Sequence, residues 1–119
     1  MNHLNLFENF DISNNNEDII VEKFHNIFLK KIKNLSKFKS KFKNKYPIKF
    51  QYSYIDDKNN NEFFLELIKS KKWNISFDMI INDNQNEYFS KLEKKNLNYS
   101  QLIKVLSKIN DLLNEKDLY

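Results

Sequence analysis

The stretch KFKSKFKNK, residues 37–45, places a lysine at every second position with Phe38, Ser40, Phe42 and Asn44 between them. Strict alternation is the mark of a strand with one wet side and one dry side. The same residues also fit a helix. Phe38 and Phe42 are four apart, and they continue a stripe of Ile20, Phe24, Phe28, Ile32 and Leu35 whose steps are three or four residues. Which period governs decides whether the chain opens with one long helix or with a shorter helix and an additional strand.

The longer stripe favours the helix. Asn14 with Glu17 three residues on resembles a capping box, and Asp18 adds negative charge at the positive end of the helix dipole. Pro47 disfavours α conformation at Tyr46, so the helix is expected to end by then. Running from 17 to about 45, it would be ~43 Å long at 1.5 Å per residue. A domain of this size has a radius of gyration of only ~13 Å. Such a helix must overhang the body or kink, and Asn34–Ser36 is the expected kink. Residues 1–13, with Leu4, Leu6, Phe7, Phe10 and Ile12 in no clear period, read as a loosely ordered arm.

Beyond Pro47 the period is two. Ile48, Phe50, Tyr52 and Tyr54 share one side of a strand, and the Asp/Asn-rich segment 56–61 is a turn. Phe63, Leu65 and Leu67 share a face in 62–69, and Trp73, Ile75, Phe77, Met79 and Ile81 share one in the next strand. Residues 87–94 form a weaker fourth strand. Such short connections require antiparallel neighbours. The final helix is announced by Asn98 and Gln101, a capping box, with Leu97 and Leu102 placed as a hydrophobic staple. The expected architecture is α+β: a long N-terminal helix, a four-stranded antiparallel meander and a C-terminal helix, in the order α-β-β-β-β-α. Residues 14–119 make a single domain.

Composition narrows the chemistry. The 119 residues include no Gly, Ala, Thr, Arg or Cys and one Pro. Disulfides, thiolate metal sites and Cys nucleophiles are therefore absent from this sequence. Gly-dependent phosphate loops and nucleophile elbows have no residue to build them. Turns must rely on Asn and Asp, which tolerate the left-handed region. Residues with AT-rich codons (Asn, Lys, Ile, Phe, Tyr) dominate, which points to a very AT-rich genome and discounts lysine abundance as a functional signal. The N-terminus lacks the pattern of a secretory signal, and no window approaches the ~20 apolar residues of a membrane span. A soluble, cytoplasmic protein is expected.

No catalytic set assembles from these residues. His3 lies in the arm, and His25 follows the stripe position Phe24, which reads as a boundary histidine. No spacing of the zinc-hydrolase kind exists. A metal-dependent nuclease would need acid and lysine two apart on a strand face, and Glu66 with Lys69 fails that spacing. Asp56 and Asp57 read as turn formers. Asp78 is a lone acid on the cleanest strand, on the face opposite Trp73, and Glu66 is placed to lie near it on the neighbouring strand. No metal and no cofactor is expected.

One asymmetry survives the codon discount. Ten of the 20 lysines fall in residues 22–49 against one acid, Glu22. On a helix Lys33, Lys37, Lys41 and Lys45 form an i, i+4 row, with Lys30 nearby and Lys39 and Lys43 on the adjoining row. Like charges at that spacing repel by a few tenths of a kcal/mol per pair. The bland alternative is a solvated helix face. The functional one is contact with phosphates or an acidic protein surface. Phe50, Tyr52, Tyr54 and Trp73 could stack bases, although a helix-covered sheet needs them for its core. Without arginine, bidentate guanine readout is unavailable.

These features fit a small non-enzymatic binding or inhibitor protein, with a protein or ribonucleoprotein partner, possible RNA contact, no membrane and no small-molecule substrate. No motif identifies a family. In general type, a glycine-free domain from an AT-rich source with a segregated basic segment is similar to the small phage or mobile-element proteins that block bacterial nuclease defences, anti-CRISPR proteins among them. That similarity implies contact with a nuclease or its guide RNA through Lys30–Lys45, with Glu66 and Asp78 as a second contact. Two alternatives are a toxin-neutralising immunity or antitoxin-like protein using the acidic side of the sheet, and a non-specific single-stranded RNA or DNA binder.

Overall fold

In the computed structural model, residues 17–43, 45–58, 60–83 and 86–115 are described. The 1–13 arm, His3 and the Asn14 cap lie outside them. Helix α1 spans Glu17–Lys31, and strands β1 (Lys39–Lys43), β2 (Ile48–Asp56), β3 (Asn61–Lys69), β4 (Trp73–Asp83) and β5 (Asn86–Leu97) follow before helix α2 (Tyr99–Glu115). All neighbouring strands are antiparallel and their order in the sheet is the order in the chain. The architecture is α+β as expected, with five strands where four were read from the sequence.

The fifth strand is the stretch that decided the fold. The expected long helix ends at Lys31. Asn34 turns the chain in the left-handed region (φ 64°, ψ 16°), and Leu35–Lys37 form one 3-10 turn. Residues 39–43 then pair with Ser53–Lys49. The helical stripe is therefore real only as far as Phe38. Ile32, Leu35 and Phe38 are all buried, but a 3-10 turn satisfies their spacing of three as well as an α-helix does. Beyond Phe38 a continued helix would run past the body. Pairing with β2 instead satisfies backbone groups and lays the Phe42 ring 5.6 Å from that of Phe50 and 4.7 Å from that of His25. The i, i+4 row of Lys33, Lys37, Lys41 and Lys45 does not exist.

Both helices lie on one face of the sheet and close a single core over it. Phe24 and Phe28 of α1 meet Trp73 edge-on at 5.0 and 5.7 Å, and Phe28 meets Phe50 at 5.1 Å. From α2, Leu102, Leu106, Ile109 and Leu113 complete the cluster. Alternation in the strands selects the partners: Ile48, Phe50 and Tyr52, then Phe63, Leu65 and Leu67, then Trp73, Ile75, Phe77 and Met79 are all buried. The expected capping box is present, with the Asn98 and Gln101 side chains each accepting from the other residue's backbone N–H at 2.8 and 2.9 Å. The Lys33 backbone N–H donates to Asn110 Oδ1 at 3.0 Å, tying the turn after α1 to α2.

Three non-glycine residues adopt positive φ among the described residues, Asn34, Asn60 and Asn96. Asparagine fills the role that glycine fills elsewhere, because its short polar side chain tolerates that region. Around the β2–β3 turn the polar groups are satisfied locally: Asp56 Oδ1 accepts from the Lys58 N–H at 3.2 Å, and Asn82 donates to the Asn60 carbonyl. Asp56 is thus a turn former. No described helix is long and apolar enough to cross a membrane.

Candidate binding face

The helices leave the other face of the sheet open, and strand register dictates what it displays. Phe42 sits on the core side opposite Phe50, so Lys39, Lys41 and Lys43 point to the open side. Two rows cross all five strands on that side. One runs Lys41, Gln51, Glu66, Ser76, Glu93, and the next runs Lys39, Ser53, Phe64, Asp78, Lys91.

Between β1 and β4 these rows enclose an open depression of about 440 Å³, with Lys39 and Lys41 on one side and Ser76 and Asp78 on the other. Gln51 and Glu66 meet inside it, the amide donating to the carboxylate at 2.7 Å. Asp78 Oδ1 is buried and has no hydrogen-bond partner among the described residues. The sequence placed Asp78 on the polar face, and the structure agrees, but this oxygen is withdrawn from water rather than solvated. Beside the depression a second hollow of about 320 Å³ brings Lys37 and Lys39 to Asp57.

The structure therefore merges what the sequence kept apart. Lys39, Lys41, Glu66 and Asp78 form one surface, and Lys43 extends it beside Lys49, its direct partner across the ladder. Lys30 and Lys33 stay with the helix layer: Lys30 lies in the last turn of α1 and Lys33 just beyond it. Lys45 lies in the β1–β2 connection. No described carboxylate makes an ion pair with Lys37, Lys39, Lys41, Lys43 or Lys45. On β5, by contrast, Glu93 bonds Lys91 at 3.3 Å and Lys95 at 3.4 Å. Those two lysines hold the Glu93 carboxyl below its ordinary range, first through hydrogen bonding and then through charge.

Farther along the same face the lining becomes apolar. Ile55 and Phe89 are well exposed and Phe64 partly so, with Ile80 between them in the row Ile55, Glu62, Ile80, Phe89. Gln51, Phe64, Ser76, Lys49 and Phe89 had escaped notice as site residues, although their positions in the alternation would have placed them there once β1 was recognised. The aromatics proposed for base stacking are on the other side: Phe50, Tyr52 and Trp73 are buried and Tyr54 is half-buried.

Two further chemistry-bearing residues lie off the open face. Lys69 is buried on the core side, its ammonium 5.5 Å from the Trp73 ring and 3.4 Å from the Lys71 carbonyl, on the opposite face from Glu66. His25 is a boundary residue as read, its Nδ1 3.1 Å from the Tyr52 hydroxyl. Burial lowers the pKa of His25 and raises that of Tyr52. Among the described residues no group of three or more His, Asp or Glu is placed to hold a metal ion. Comparison with family models, with curated proteins and with solved structures returns no match.

Proposed function

We propose that this chain is a small non-enzymatic binding protein that acts by occupying a protein or ribonucleoprotein surface, with the open face of its sheet as the contact. The observation that carries the proposal is the depression in which Lys39 and Lys41, without an ion-pair partner among the described residues, face Glu66 and an Asp78 oxygen that none of those residues hydrogen-bonds. A bare phosphate backbone is served by lysines alone and is repelled by carboxylates. A surface with both signs, continued by exposed Ile55, Phe64 and Phe89, is suited to a protein that carries acidic groups toward β1 and a hydrogen-bond donor toward Asp78. An RNA component, if the partner holds one, would fall to Lys37–Lys45. Inhibition of a nuclease, in the manner of the phage and mobile-element proteins this chain is similar to in type, is the setting in which such a contact would act.

The experiment is affinity capture from the native host with and without nuclease treatment, followed by Lys39→Glu/Lys41→Glu and Asp78→Asn/Glu66→Gln. The expected result is a discrete protein or ribonucleoprotein partner lost with the lysine reversal. Capture that survives the lysine reversal but fails with the acid replacements would favour the toxin-neutralising alternative. Binding of random oligonucleotides by the protein alone, with affinity collapsing as salt rises, would replace both with a general nucleic-acid binder.

A further inference from the structure

The two edges of the sheet differ in a way that points to a second copy of this chain. Strand β1 is five residues long and presents Lys39, Lys41 and Lys43, charges of one sign that repel any copy of themselves. Strand β5 is 12 residues long, contains no proline, and is exposed along its length except for half-buried Leu92 and Leu97. Among the described residues, its outer edge has no strand partner in the sheet. Ser90 and Lys94, on the helix-bearing side, are exposed, so α2 does not overhang this edge. Its open-face residues read Phe89, Lys91, Glu93, Lys95, with signs that alternate.

We propose that β5 pairs antiparallel with β5 of a second copy, about a two-fold axis through Leu92, to make a continuous ten-stranded sheet. In that register Lys91 stands opposite Glu93 of the second copy and Glu93 opposite its Lys91. With the intrastrand pair Lys91–Glu93, the four charges form a square that alternates in both directions. Phe89 stands opposite Lys95 at each end, within the reach of a cation–π contact. On the other face Leu92 meets Leu92, extending a side chain that already packs against the core. Neighbouring registers fail on charge. Moving the axis to residue 91 sets Lys91 against Lys91, and moving it to 93 sets Glu93 against Glu93, and like charges directly opposite are unfavourable. Registers centred between residues oppose side chains from opposite faces, which this symmetry forbids. Of the three registers centred on residues 91, 92 and 93, the Leu92 axis alone satisfies both conditions.

The test is the solution mass of the full chain by sedimentation equilibrium across a concentration series. Wild type is expected to reach twice 14.5 kDa. Lys91→Glu alone and Glu93→Lys alone should each weaken dimerisation about tenfold or more, because two attractive cross-strand pairs become repulsive in each. Mixing the two variants should restore the dimer as a heterodimer, since every cross-strand pair is again of opposite sign. That rescue also shows that neither variant has simply misfolded. A wild-type chain that stays monomeric overturns the proposal. So does a dimer indifferent to both reversals, which would use another surface, or a mixture that fails to reassociate.

Discussion

Lys43 and Lys49 stand directly opposite each other in the β1–β2 ladder, both on the open face of the sheet. Like charges in that position oppose folding by a few tenths of a kcal/mol to ~1 kcal/mol. Lys43→Glu should therefore raise the stability of the isolated protein by up to ~1 kcal/mol, read from urea denaturation midpoints. If the basic strand is the contact proposed above, the same change weakens partner capture. A variant that is both less stable and unimpaired in capture would contradict both statements.

Asp78 Oδ1 is buried and accepts no hydrogen bond from the described residues, whereas Glu66 on the neighbouring strand accepts from Gln51. An unsatisfied buried acceptor costs about 1–3 kcal/mol. Asp78→Asn lets the group be neutral in the same volume, so the free protein should gain stability, by ~1 kcal/mol. Glu66→Gln removes the charge that strengthens its bond to Gln51 and should cost up to ~1 kcal/mol. Denaturation curves of opposite displacement are the expected outcome.

His25 has a pKa lowered by burial, so protonation is easier in the unfolded chain than in the native one. By linkage, stability is complete above the ordinary histidine value near 6.5 and declines as pH falls from there toward the lowered native value. Thermal midpoints should drop between pH 7 and pH 5 more steeply in wild type than in His25→Gln. Equal slopes would mean that His25 carries no linked proton.

Asn34 holds φ 64° between α1 and β1. A residue with a Cβ and no compensating polar group costs roughly 1–2 kcal/mol there, so Asn34→Ala should destabilise by about that amount and Asn34→Gly should not. Thermal denaturation of the pair is the measurement. The contrast matters because Asn34 is the position at which the helical stripe turns into the edge strand.

In the core, Phe28 is fully buried among Phe24, Phe50 and Trp73. Phe28→Ala should cost about 3–5 kcal/mol. Phe64, in the middle of the open face, should tolerate alanine with a change within ~1 kcal/mol, since its ring is partly exposed. Chemical denaturation separates the two directly, and comparable losses would mean that the open face is covered in solution.

The local pattern was sufficient where one period was uncontested. Alternation from Ile48 to Tyr54 and from Trp73 to Ile81 gave both the strands and their buried sides, because each side chain's environment follows from its parity. The capping box of Asn98 and Gln101 marked the last helix with its own hydrogen bonds. Histidine, carboxylate and glycine counts narrowed the chemistry without any coordinates.

Residues 37–45 carried two periods at once, and the longer stripe ranked the helix first, whereas the chain forms a strand there. Phe38 and Phe42 satisfy a helix, but a helix is stabilised by what its stripe can pack against, and that surface exists only after β2 and α2 are in place. Tertiary structure offered Phe42 the rings of Phe50, Tyr52 and His25, and offered the backbone of 39–43 the free edge of β2. Once the strand formed, Lys39, Lys41 and Lys43 turned to the open face and joined Glu66 and Asp78 on one surface. The residues were legible from the start; their convergence was a consequence of long-range packing.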